Sequence, residues 1–111
     1  MVTFIATPIG NLADITLRAL DTLRAADVIF CEDTRHSLKL LNHYGIKKPL
    51  VACHKFNERA AAQKLVSLAR EGKSVAVVTD AGTPVISVPA NLLVQALRGA
   101  GVPYTLAPGA C

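Results

Sequence analysis

The stretch Ser74-Val75-Ala76-Val77-Val78-Thr79-Asp80-Ala81-Gly82-Thr83-Pro84 decides the fold. Between Val75 and Val78 every residue is apolar, with none of the alternation expected of a strand that keeps one face in water. The run therefore predicts a strand over Ser74–Thr79 that is buried on both faces. Such strands belong to parallel sheets covered by helices on both sides. The strand stops at Asp80-Ala81-Gly82, where small side chains let the backbone come close to a ligand and Gly82 has access to angles other residues avoid. An ordinary strand-to-helix turn has the same composition.

Working outward, the same unit repeats. Val2–Ala6, Val28–Cys31, Leu50–His54 and Tyr104–Ala107 are short apolar runs with strand character. Between them lie segments with helical spacing. Ile15, Leu17, Ala19, Leu20 and Leu23 form the first, with Asp14 as a cap. The second is His36–Tyr44, carried by Leu38 and Leu41 and stopped by Gly45. The third is led by Asn57 as a cap, with a stripe of Ala61, Leu65, Leu68 and Ala69, and ends at Gly72. The fourth places Pro89 at its first helical position ahead of Leu92, Leu93, Ala96 and Leu97, and closes at Gly99 and Gly101. Alternation of this kind predicts an α/β domain with a mostly parallel five-stranded sheet, helices on both faces and right-handed crossovers.

In such sheets ligands bind beyond the carboxyl ends of the strands. The polar and turn-forming residues gather there: Thr7-Pro8-Ile9-Gly10-Asn11, Glu32-Asp33-Thr34-Arg35, His54 to Glu58, Asp80 to Pro84, and Pro108-Gly109. Neither a G-x-G-x-x-G fingerprint nor a Gly-Lys-Ser/Thr phosphate loop is present. Asp33 is a carboxylate at a strand end able to take a proton, and Arg35 can grip a phosphate or a carboxylate. The plain alternative is a capping cluster, with Asp33 or Thr34 as cap and Glu32 paired to Arg35. Asn57 and His54 divide in the same way between substrate contact and local support, and His43 reads as surface. Asp33 and Asp80 also admit a receiver-type or phosphatase-like acid pocket. A receiver, however, carries paired acids after its first strand, where Thr7-Pro8 stands.

With 111 residues the chain has one domain's length, and its hydrophobic fraction of 51% is ample for a core. Charged residues make up 18%, too few for a disordered chain. No apolar run approaches the roughly 20 residues of a membrane span. The opening MVTFIATPIG lacks a basic segment and a cleavage site, so a cytoplasmic protein is expected. The net charge of +4 suits an RNA substrate, but the basic residues are scattered rather than clustered. Cys31, Cys53 and Cys111 have no zinc-ligand spacing, and Cys31 and Cys53 read as buried free thiols.

Four motifs occur in an order that resembles one family: TPIGNLADITLRAL at Thr7–Leu20, CEDTRHS at Cys31–Ser37, HKFNE at His54–Glu58 and TDAGTPVIS at Thr79–Ser87. These resemble the 16S ribosomal RNA cytidine 2′-O-methyltransferases of the tetrapyrrole (corrin/porphyrin) methylase superfamily. The resemblance covers nearly the whole chain and adds what spacing does not give. It implies a two-domain enzyme with S-adenosylmethionine in the cleft, of which residues 1–111 are the N-terminal domain. Thr7, Pro8 and Gly10, with Asp80, Ala81, Gly82, Thr83, Pro84 and Pro108, would bind the cofactor. Glu32, Arg35, His54, Asn57 and Glu58 would face the RNA, Asp33 is the candidate base, and no metal is expected. The partner would be 16S ribosomal RNA or the small ribosomal subunit. Other readings are a methylase of tetrapyrroles or other small molecules, and a non-catalytic α/β binding module.

The sequence departs from the family pattern at Val88-Pro89-Ala90, where Asp-Pro-Gly is usual, and at Pro108-Gly109-Ala110, where Pro-Gly-Pro is usual. The C-terminal domain that the resemblance implies is expected to lie outside residues 1–111. Half a cleft is expected to bind cofactor weakly, to show little catalysis and to expose apolar surface that favours a symmetric homodimer.

Overall fold

Strand and helix alternate through β1 (Val2–Ala6), α1 (Leu17–Ala25), β2 (Val28–Cys31), α2 (Thr34–His43), β3 (Leu50–Ala52), α3 (Glu58–Arg70), β4 (Val75–Thr79), α4 (Val88–Ala100) and β5 (Tyr104–Ala107). The structure is a computed structural model that describes residues 1–6, 15–54, 56–79 and 88–107. The strands form one five-stranded sheet in the order β3-β2-β4-β1-β5. Every pairing in it is parallel.

Strand β4 lies at the centre and is buried along its whole length, as its lack of alternation predicts. Its odd and even residues serve two cores. Val77 is in register with Phe4 on one side and Phe30 on the other. This row packs with Leu65 of α3 and with Leu93 and Leu97 of α4. On the opposite face Val78 lies between Ile5 and Cys31, against Leu20 and Leu23 of α1 and Leu40 and Leu41 of α2. Burying each large side chain is worth about 1.5–3 kcal/mol, against roughly 1 kcal/mol for a helix cap. A one-residue slip would exchange the two faces, so the apolar pattern rather than the turns sets the register.

The helices divide by direction of travel. Connections moving toward β3 carry α1 and α2 on one face, and those returning toward β5 carry α3 and α4 on the other. Uniform crossover handedness requires this arrangement.

Several local expectations are corrected. Helix α1 is capped by Thr16, whose Oγ1 accepts from the N–H of Ala19 at 3.1 Å; Asp14 lies outside the described residues. Leu17 is 79% exposed, and the stripe is Ala19, Leu20 and Leu23, with Ile15 buried just ahead. On α2 Leu38 is half exposed and Ser37 takes a buried position instead. Strand β4 begins one residue later than expected because Ser74 is held by Asp27. The N–H of Ser74 donates to Asp27 Oδ2 at 2.8 Å, and the N–H of Asp27 donates to the Ser74 carbonyl at 2.7 Å. Gly72, with φ +83°, ends α3 in the left-handed conformation that a side chain would strain.

Candidate functional site

Because all five strands are parallel, their carboxyl ends lie on one edge: Ala52, Cys31, Thr79, Ala6 and Ala107 in spatial order. Ala6 and Thr79 are in register, and the Thr79 hydroxyl donates to the Ile5 carbonyl at 3.4 Å. From these adjacent ends the chain leaves for opposite faces, after β1 toward α1 and after β4 toward α4. This is a topological switch point, where open α/β sheets form their ligand crevice. The motif segments after β1 and β4 therefore depart from neighbouring positions. Thr7, Pro8, Gly10, Asp80, Ala81, Gly82, Thr83, Pro84 and Pro108 themselves lie outside the described residues.

One strand along, β2 ends beside β4, with Cys31 paired to Val78. Asp33 follows in extended conformation as the N-cap of α2, where its Oδ1 accepts from the N–H of Arg35 at 2.9 Å. The Arg35 Nε lies 3.7 Å from the same oxygen, with the guanidinium almost wholly in solvent. The ion pair is thus Asp33 with Arg35. The N–H of Arg35, then that of His36 and the charges of both side chains, hold the Asp33 carboxyl below its ordinary 3.8. Asp33 is ionised at neutral pH and anchors the start of α2.

Strand β3 ends beside β2 and is shorter than expected, because Asn57 takes over its continuation. The Asn57 Oδ1 accepts from the N–H of His54 at 2.8 Å, and its Nδ2 donates to the carbonyl of Ala52 at 2.8 Å. Asn57 occupies the N-cap position of α3 but makes no capping hydrogen bond; its side chain clamps the turn instead. His54 adds a third tie, its Nδ1 accepting from the N–H of Phe56 at 3.2 Å. Glu58 is the first residue of α3 and is partly buried, as is Glu32.

Cys53 is buried beneath this turn. Burial pushes its thiol up to about 11, with the carboxylates of Glu58 and Glu32 and the Cys31 sulfur adding to the rise. Glu32, just past β2, and Glu58, at the start of α3, therefore both lie close enough to one thiol to act on it. Cys31 is likewise buried. No group of three His, Cys, Asp or Glu side chains placed to hold a metal occurs among the described residues. No helix among them is long and apolar enough to cross a membrane.

Sequence reasoning missed Phe56. At 89% exposure it is the most exposed large apolar side chain among the described residues. Its ring meets His54 edge-on, with centroids 6.2 Å apart. The signal was a lone aromatic inside a polar turn just past a strand end, in a chain with few aromatics.

Comparison with known proteins assigns the family. The profile of the Tetrapyrrole (Corrin/Porphyrin) Methylases matches residues 1–111. A Haemophilus influenzae protein named ribosomal RNA small subunit methyltransferase I is 53% identical over 107 residues, which is 96% of this chain and 38% of that protein. Among solved structures, a uroporphyrin-III-C-methyltransferase from Thermus thermophilus superposes with a TM-score of 0.75 at 31% identity, over 97% of this chain and 46% of the other. A diphthine synthase shares the fold at TM-score 0.76 and 20% identity, over 98% of this chain and 44% of the other. The chain thus spans less than half the length of these relatives. With a parallel sheet of this order and motif segments leaving its switch point, the chain belongs to the tetrapyrrole (corrin/porphyrin) methylase family.

Proposed function

We propose that the chain is the N-terminal domain of an S-adenosylmethionine-dependent methyltransferase that modifies the 2′-hydroxyl of a cytidine in 16S ribosomal RNA. The observation that carries this reading is the pairing of Ala6 with Thr79, from which the two segments proposed to bind cofactor set out side by side. Half-identity to proteins named ribosomal RNA small subunit methyltransferase I supports the RNA acceptor. A tetrapyrrole acceptor ranks second, on the 31% identity to the uroporphyrin-III-C-methyltransferase.

The switch point suits the cofactor, because backbone amides and carbonyls at strand ends can bind an amino-acid moiety and an adenine edge. Thr7, Pro8, Gly10, Asp80, Ala81, Gly82, Thr83, Pro84 and Pro108 are the proposed contacts. S-adenosylmethionine, when bound, supplies a methyl group on a sulfonium. The chain's own residues have two tasks, alignment of the acceptor oxygen and removal of its proton. Asp33, ionised at neutral pH, is the proposed proton acceptor, and its lowered pKa makes it a weak one. Arg35 is the proposed phosphate contact beside it, and Glu32, His54, Asn57 and Glu58 form the proposed substrate side.

A second domain is proposed to complete the cleft, and a symmetric homodimer in the cytoplasm is the proposed assembly. Calorimetry with S-adenosylmethionine tests the scheme. Weak binding is expected for residues 1–111 and tight binding for a longer reading frame containing them. Methyl transfer by that longer protein to small ribosomal subunits, with none to uroporphyrinogen, is the expected activity; the reverse would overturn the RNA reading.

A further inference from the structure

We propose that Phe56 is a stacking platform for an unpaired RNA base next to the methylated ribose, an inference that rests on the RNA reading above. An apolar ring held in water costs free energy, and native proteins bury most of theirs. Here the ring is presented. Asn57 fixes the turn by bonds to Ala52 and His54, and His54 in turn accepts from the N–H of Phe56. These bonds hold the backbone on either side, so the ring is exposed from an anchored turn. The turn follows β3 at the carboxyl edge of the sheet, beside the end of β2 and the start of α2, which carries Arg35.

The surroundings select the occupant. Arg59 on the first turn of α3 is exposed, as are Arg35 and His54. Exposed aromatic faces and guanidinium groups on one edge are how proteins hold single-stranded RNA, with bases stacked and phosphates paired. An apolar protein partner would instead call for a wider apolar surface, and the neighbours of Phe56 in the turn, His54 and Asn57, are polar.

The sequence contains no tryptophan, so Phe56→Trp places the only tryptophan at the proposed contact, where it can be excited apart from the tyrosines. Oligocytidylate should quench it while leaving affinity within about twofold of the parent chain. Phe56→Ala should weaken oligocytidylate binding by about tenfold, the loss of one stacked base, and leave S-adenosylmethionine affinity unchanged. Phe56→Leu should behave like Phe56→Ala, since it keeps apolar bulk and loses the ring. Unchanged RNA affinity in Phe56→Ala, full rescue by leucine, or a change in oligomeric state on truncation would each overturn the proposal, the last by assigning the ring to a protein interface. Failure of the longer protein to bind oligocytidylate, with S-adenosylmethionine still bound, would instead remove the RNA reading and this inference with it.

Discussion

Asp33 is an N-cap and the proposed proton acceptor, and a pair of substitutions separates the two roles. As an N-cap it accepts from the Arg35 amide, and asparagine caps about as well as aspartate. As a proton acceptor it has no substitute in asparagine. Asp33→Ala should lower the melting temperature, and Asp33→Asn should keep it near the parent value. If Asp33 takes the ribose proton, Asp33→Asn lowers methyl transfer by about 10²–10⁴-fold; retained activity would leave it a cap alone. Its carboxyl is held below the ordinary 3.8 by the Arg35 amide. Its contribution is therefore present above the unfolded value and is lost as pH falls through the lower folded value. Acid unfolding of Asp33→Asn should lack that part of the loss below about pH 3.9.

Cys53 is a second case at this scale. With its thiol pushed up to about 11, about one molecule in a thousand is thiolate at pH 8, and the thiolate is the reactive form. In a Cys111→Ser background the native chain should leave Cys31 and Cys53 unlabelled by a disulfide reagent, and both should react on unfolding. Rapid labelling of the folded chain would show that the turn over Cys53 opens readily.

At the scale of elements, α2 and α3 make opposite predictions. Ser37 is buried among the packing residues of α2, and its Oγ has no hydrogen-bond partner. A buried hydroxyl left unsatisfied costs about 1–3 kcal/mol, so Ser37→Ala should raise denaturant stability by roughly 1 kcal/mol. A loss would mean that the hydroxyl bonds an ordered water. Leu65 on α3 is fully buried against Phe4, Phe30 and Val77 on the sheet. Leu65→Ala should cost about 2–5 kcal/mol, a large part of the 5–15 kcal/mol typical of a domain. These two positions also show what could be read from residues alone. The unbroken apolar run of β4 made a central parallel strand legible, because burial on both faces leaves no polar position. The choice of cap was not legible: Asp14, Thr16 and Asn57 all carry suitable oxygens, and only the turn ahead of each helix decides what such a side chain bonds. Asn57 reaches back to Ala52, and Ser37 follows helix geometry into the core although its type suggests the surface. Strand order, and with it the switch point, came only from the fold.

For the whole molecule the question is how much of any RNA affinity is electrostatic. The net charge is +4, yet the edge that carries Arg35, Arg59 and His54 also carries Glu32, Asp33 and Glu58. Such a mixed edge attracts a polyanion weakly and holds it by a few specific contacts. If Arg35 and Arg59 each neutralise one phosphate, the logarithm of the oligocytidylate affinity should fall with the logarithm of salt with a slope of about −1.4, from roughly −0.7 per phosphate on a single strand. Arg35→Ala or Arg59→Ala should each halve that slope, whereas Phe56→Ala should weaken binding at every salt concentration and leave the slope unchanged. A slope steeper than about −3 would place the main phosphate contacts on basic residues away from this edge, because two guanidinium groups cannot release that many counterions.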